Sequence, residues 1–322
     1  MKQIRVAVFI FITGLIFPNM VLAKRSNVII AGLNWSGAIA VANVMKYVLD
    51  KKLGIPAEIK PLTLPVAWSA MDMGTADILP DIWIPNQKKP VKEYVETQKS
   101  VTLVKSYINA SQGIYMLSEV AKANSIKSVF DLRGKEKMFD MNGNGIGEMW
   151  IGPYNWETSD INKSKIREYG INLETVEFEQ WIFLAVLKEA LRKKKPLVFY
   201  YWEPDWPVAA YDLLRLEEPA FDPKKWVMAD KNNKKNRIRC AYPPATVYVG
   251  VSRQLKKRLP RAYKFFMNWH IPIDEVSWLV AEIEQVPGNP RKDPEWVART
   301  WVKKHPKILQ DWLKNIERPG KK

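Results

Sequence analysis

Cysteine and histidine are nearly missing from this chain: Cys240 is the single thiol, and His270 and His305 are the two imidazoles among 322 residues. One cysteine cannot form an intrachain disulfide, so the fold must stand on its apolar core. The same scarcity argues against a His-rich metal centre and against a Cys/His nucleophile pair. Acidic residues are also in deficit, 34 against 50 lysines and arginines, for a formal charge of +16. That excess could steer the protein toward an anionic surface. The basic clusters Arg192–Lys195, Lys234–Arg237 and Lys256–Arg258, however, stand where helix ends and loops are expected, and solvated charge is the ordinary role there. No fixed repeat or low-complexity tract is present, and beyond residue 23 no apolar run is long enough to span a bilayer.

The one long apolar run comes first. Met1–Arg5 is short and basic, Val6–Ile16 is apolar, and Val21 and Ala23 fit the small-residue cleavage rule, so residues 1–23 read as a secretory signal peptide. The mature chain then starts at Lys24 and keeps its basic character, because the leader holds only Lys2 and Arg5 of the positive charge. No cysteine lies at the cleavage point to take a lipid, and a periplasmic location is expected.

Hydrophobic residues make up 47% and charged ones 26%, the balance of a globular protein whose length fits two medium domains. Val28–Gly32 reads as a buried strand, followed by a helix that Ser36 would cap and Gly54 would stop. Ala57–Lys60, a helix around Val66–Met73 and Ala76–Leu79 continue the alternation. Gly113–Leu117, a helix over Phe178–Leu191, Pro196–Tyr201 and Ala245–Val251 extend it, so the sheet is expected to be mainly parallel. The fold class is α/β with two lobes. Lobe 1 is placed at 24–107 plus 244–322 and lobe 2 at 108–243, with the chain crossing between them twice.

Among 14 tryptophans, Trp269, Trp278, Trp296, Trp301 and Trp312 sit among apolar residues at helical spacing and are assigned to core or docking surfaces. Trp35, Trp83, Trp156 and Trp202 differ, each standing just past an expected strand or in a turn, where a parallel sheet offers its ligand-facing edge. Trp202 belongs to Phe199–Trp206, in which two tryptophans of exposed type alternate with prolines and carboxylates. Tryptophan faces hold methylated cations, which have no N–H to donate.

Asp81-Ile82-Trp83-Ile84-Pro85-Asn86, Phe139–Gly145 followed by Gly152-Pro153-Tyr154-Asn155-Trp156, and Phe199–Trp206 occur in this order and spacing. Through them nearly all of the mature chain resembles the substrate-binding proteins of glycine betaine/choline/proline betaine ABC importers. The resemblance implies a type II periplasmic binding fold, two lobes on a hinge, closing over a quaternary ammonium compatible solute in a tryptophan cage. It implies walls from Trp83, Trp156 and Trp202, with Trp35 and Tyr115 as further walls. A zwitterion's carboxylate would meet the backbone N–H groups of Ser36 and Gly37 at the first helix's positive end, and Gln87 would donate as well. Betaine-type members carry a histidine where this chain has Gln87, which leaves glycine betaine, proline betaine and choline all open. The implied partners are an inner-membrane ABC permease and the small ligand; no nucleic acid, metal or cofactor is called for, and a monomer without catalytic activity is expected.

Three other readings compete with this one. A secreted carbohydrate-binding or glycoside-hydrolysing protein would use Glu203 and Asp205 as acid and base, yet residues i and i+2 of an extended segment point to opposite sides. A wall- or nucleic-acid-adhering module rests on charge alone. Asp140–Gly145 resembles a calcium loop with Glu148 at its ninth position, but Ile151 stands where the bidentate glutamate belongs, so an Asx/glycine turn is expected. Asp81, Glu203 and Asp205 could complement a net cation, but solvated carboxylates are the ordinary role and are expected for each.

Overall fold

A computed structural model describes residues 25–154, 156–229, 234–284 and 290–317. The signal peptide expected at 1–23 lies outside the described residues. The strands are β1 (Val28–Gly32), β2 (Ala57–Pro61), β3 (Ile78–Ile84), β4 (Val101–Leu117), β5 (Glu148–Trp150) and β6 (Glu174–Val176), then β7 (Val198–Glu203), β8 (Leu213–Arg215), β9 (Trp226–Val227), β10 (Arg237–Ile238) and β11 (Ala245–Ser252). Nine of them form one curled sheet in the order β2-β1-β3-β11-β4-β7-β5-β6, with β8 also on β4.

Each half of this sheet has its own parallel core, β2-β1-β3 in one and β7-β5-β6 in the other. The sheet as a whole is mixed and not mainly parallel, because β11 and β4 run antiparallel to their neighbours. The cause is the passage between halves. β4 is 17 residues long; its first part, Val101 to Ala110, pairs with β11, and from Ser111 to Met116 it pairs with β7. One extended strand therefore serves both halves, the arrangement of a two-lobed type II binding protein.

Helix Ser36–Val48 packs behind the first half against helices Ile273–Ile283 and Pro294–Lys304. Trp35, not Ser36, holds the cap position, and Ser36 is the first helical residue. Gly54 ends the following π-turn at φ 64°, a conformation that favours glycine. The C-terminal tryptophans are core: Trp269 stacks on Trp312 at 4.4 Å, with Trp301 5.7 Å from the latter. Their indole N–H groups reach Ser106 Oγ, the His270 carbonyl and Glu275, so none of the three buried donors is left unpaired. Trp296 is the exception, half exposed. Neither Trp202 nor Trp206 is an exposed tryptophan; both are buried.

Candidate ligand-binding site

Two of the four singled-out tryptophans end strands and two begin helices. Trp83 lies in β3 opposite Val247, and Trp202 lies in β7 opposite Gln112. Pro85 and Pro204, which lack the N–H that pairing needs, follow where these strands stop. Both tryptophans are thus inside strands and not past them. Trp35 caps helix Ser36–Val48 and Trp156 caps helix Glu157–Glu168, each in extended backbone. Gly152, at φ 109°, makes room for the second: a Cβ there would lie 3.1 Å from Trp156 Cε3.

The rings converge. Trp156 meets Trp35 at 5.2 Å between centroids and Trp202 at 5.3 Å, both edge to face. Trp83 joins the same cavity, which Leu64, Tyr200 and Thr158 also line. Its atom-free space, open solvent at the mouth included, is about 410 Å³.

Asp81 holds two of the walls in place. Its Oδ2 accepts the indole N–H of Trp35 at 2.6 Å and that of Trp83 at 2.9 Å, while Oδ1 accepts the Tyr107 hydroxyl at 2.9 Å. Burial raises the carboxyl's pKa, and the donations from Trp35, Trp83 and Tyr107 pull it back only in part. Both indoles are thus anchored at their N–H edges, which leaves their faces free of that bond.

Several polar side chains tie the two halves together around the cavity. Gln87 accepts from Trp68 Nε1 at 2.8 Å and donates to Glu157 Oε2 at 2.5 Å. Burial pushes the Glu157 carboxyl up to about 7, with Asp160 adding to the rise, while the bond from Gln87 and the charge of Lys89 oppose it. Gln112 Oε1 accepts from both Asn86 and Tyr200, at 2.7 and 2.8 Å. At the rim Asn34 donates to Glu179 at 2.7 Å. The halves are therefore in direct contact over the cavity.

Of the residues expected to bind ligand, Trp35, Trp83, Trp156, Trp202 and Gln87 line this cavity. Tyr115 is not among the lining residues: its hydroxyl donates to Glu203 at 2.9 Å and its ring stacks on Phe199. It stands three residues after Gln112 on β4, and an odd offset puts it on the other face. Ser36 Oγ donates instead to Glu284 at 3.2 Å, and a Cβ on Gly37 would lie 3.7 Å from Asp81 Oδ2. The helix start expected to receive a ligand carboxylate already faces a carboxylate of the protein. Asp81 and Asp205 are buried and not solvated; only Glu203 is exposed. Asp205 accepts from the Trp206 N–H at 2.7 Å and from Gln180 at 2.9 Å.

Asn86, Glu157, Thr158 and Tyr200 were missed as lining residues. Each had a signal: Asn86 closes the first motif, Glu157 and Thr158 follow Trp156, and Tyr200 shares the strand face of Trp202 by period two. The Asp140 loop is an Asx/glycine turn, its carboxylate accepting the N–H groups of Gly143 at 2.6 Å and Gly145 at 2.8 Å.

Residues 26–304 match the family profile of the substrate-binding domain of ABC-type glycine betaine transport systems. The chain belongs to that family. It is a transport-protein family and not a class of enzymes. Substrate-binding proteins of ABC importers work outside the cytoplasmic membrane, and among the described residues no helix is long and apolar enough to cross one. A choline-binding protein of an ABC transporter, solved with choline, is 20% identical with a TM-score of 0.73 over 90% of this chain and 92% of that one. Lactococcal OpuAC, solved closed with glycine betaine, is 22% identical with a TM-score of 0.69 over 90% of this chain and 100% of the other. In sequence, the glycine betaine-binding periplasmic protein OusX of Dickeya dadantii is 20% identical over 63% of this chain and 64% of its own length. The glycine betaine/carnitine transport binding protein GbuC of Listeria monocytogenes is 25% identical over 42% and 37%. The matched region thus spans less than two thirds of either curated relative.

Proposed function

We propose that this protein is the periplasmic solute-binding component of an ABC importer, capturing a quaternary ammonium compatible solute between its lobes and passing it to an inner-membrane permease. On this reading residues 24–107 plus 244–322 close on residues 108–243, after cleavage of the signal peptide, and the protein works as a monomer without chemistry of its own. The observation that carries the reading is the convergence of Trp35, Trp83, Trp156 and Trp202 on one cavity. Trp35 and Trp83 come from before the crossing strand and Trp156 and Trp202 from after it, so the cage is complete only when the halves meet and ligand binding drives closure.

Magnitudes agree with a cage that needs help. Each ring over a desolvated cation contributes about 0.5–2 kcal/mol, while micromolar affinity requires about −8 kcal/mol in total. Four rings give about 2–8 kcal/mol before the cost of association is met, so a further electrostatic contribution is needed, and the buried Asp81 carboxyl bonded to two of them supplies one. The carbohydrate reading fares worse. Glu203 is exposed and bonded to Tyr115, whereas Asp205 is buried against Gln180 and Trp206, so the two do not flank a common bond.

Calorimetric titration of the mature protein with tetramethylammonium, choline, glycine betaine, proline betaine and carnitine tests the proposal. At least one saturable site is expected, and Trp156→Ala should weaken it more than tenfold, about 1.4 kcal/mol or more. Binding of an oligosaccharide and of none of these ions would overturn it.

A further inference from the structure

Once a trimethylated head group occupies the indole faces, the rest of the ligand has to face the cavity's polar wall. That wall consists of Asp81, Asn86, Gln87, Glu157 and Thr158, two carboxylates and not one cationic side chain. A ligand carboxylate would need donors there, and one N–H of each amide is already engaged, Gln87 Nε2 with Glu157 and Asn86 Nδ2 with Gln112. The Tyr200 hydroxyl donates to Gln112 as well. Among the lining side chains, Thr158 Oγ1 is buried with no partner in good hydrogen-bonding geometry; its nearest polar neighbour is the Tyr200 hydroxyl, which donates to Gln112. A buried hydroxyl left unpaired is costly, and a ligand group that pairs with it is rewarded.

We propose that Glu157 and Thr158 read the second polar group of the ligand, admitting a neutral hydroxyl and rejecting a carboxylate, so that the preferred solute is a quaternary ammonium alcohol bearing a single net positive charge. This rests on the cage reading above. A hydroxyl both donates and accepts, so it serves Thr158 Oγ1 and a Glu157 oxygen together. A zwitterion's carboxylate would be a like charge beside Glu157 and Asp81 in a site of low polarity, where repulsion is strong.

The charge state of Glu157 adds a pH signature. Its carboxyl titrates near 7, raised by burial and by Asp160 and lowered by Gln87 and Lys89. A bound cation stabilises the ionised form, so cation affinity is greater above pH 7 and falls below it. A zwitterion changes in the opposite direction.

Titrating tetramethylammonium, choline and glycine betaine at pH 8 and pH 6, on the wild type, Glu157→Gln and Thr158→Val, decides the matter. At pH 8 choline should bind at least about tenfold tighter than glycine betaine. Glu157→Gln keeps an acceptor for Gln87 and should compress that ratio to about threefold, and Thr158→Val should bring choline to the level of tetramethylammonium. Glycine betaine binding as tightly as choline, or a ratio unmoved by Glu157→Gln, overturns the inference while leaving the cage intact. Failure of all three ions to bind instead removes the cage reading itself. Should a variant not fold, the wild-type ratio at the two pH values decides: a choline preference that does not shrink toward pH 6 is the overturning result.

Discussion

Trp35 and Trp83 share one acceptor, the Oδ2 atom of Asp81, at 2.6 and 2.9 Å. The first tryptophan caps a helix and the second lies within a strand, so nothing local fixes their mutual angle. A single buried carboxyl group does, accepting the N–H edges of both rings.

Asp81→Asn keeps the shape and one strong acceptor but removes the charge. Affinity for a quaternary ammonium should fall about tenfold, with Tm changing little, because losing a buried charge offsets the weaker bonds. Asp81→Ala removes the anchor as well and should weaken binding further. Calorimetry beside thermal melts checks both, and a fully active Asp81→Ala would show that the indoles need no anchor.

Gln87 joins Trp68 on one side to Glu157 on the other. In Gln87→Ala the cleft loses that tie, and the ligand-free protein should shift toward open forms. A larger radius of gyration by small-angle scattering and a several-fold lower affinity are expected, since the closed form's fraction scales the apparent affinity. Identical scattering from the variant and the wild type would count against a closure role.

Burial pushes the Asp205 carboxyl up to about 7, with Trp206, Gln180 and Tyr201 opposing and Glu284 adding to the rise. An unfolded aspartate titrates near about 4. The folded state therefore binds the proton more tightly, and this group's contribution to stability is greatest below the unfolded value and is lost as pH rises toward 7. Glu157 acts in the same direction. The ligand-free protein should melt at a higher temperature at pH 5 than at pH 8, and Asp205→Asn should narrow the gap. A wild-type Tm that climbs between those pH values would contradict this reading.

The α/β alternation was legible because apolar runs such as Val28–Gly32 and the helical spacing beyond Ser36 are local signals. The parallel cores were legible for the same reason, whereas the mixed sheet was not. Its antiparallel seam depends on β4 serving two halves, and a 17-residue strand looks in sequence like separate short runs. The four tryptophans that line the cavity were legible from their motifs. Tyr115 was misplaced because a one-face, two-face parity along β4 is set by its pairing register with β7. Asp81 and Asp205 were taken as solvated because aspartate usually is, and only the convergence of indole, phenol and amide donors around them makes burial tolerable.

What the chain's order of residues determined by itself is a set of parts: strands, helices, a thiol-poor core, and indoles at element ends. Those follow from periodicity, capping and composition, which act over a few residues. Which donors face which acceptors was decided only in three dimensions. Gln87 meets Glu157, and Asp81 meets Trp35, because a curled sheet brings distant segments within hydrogen-bonding reach, and no interaction between near neighbours along the chain encodes that distance.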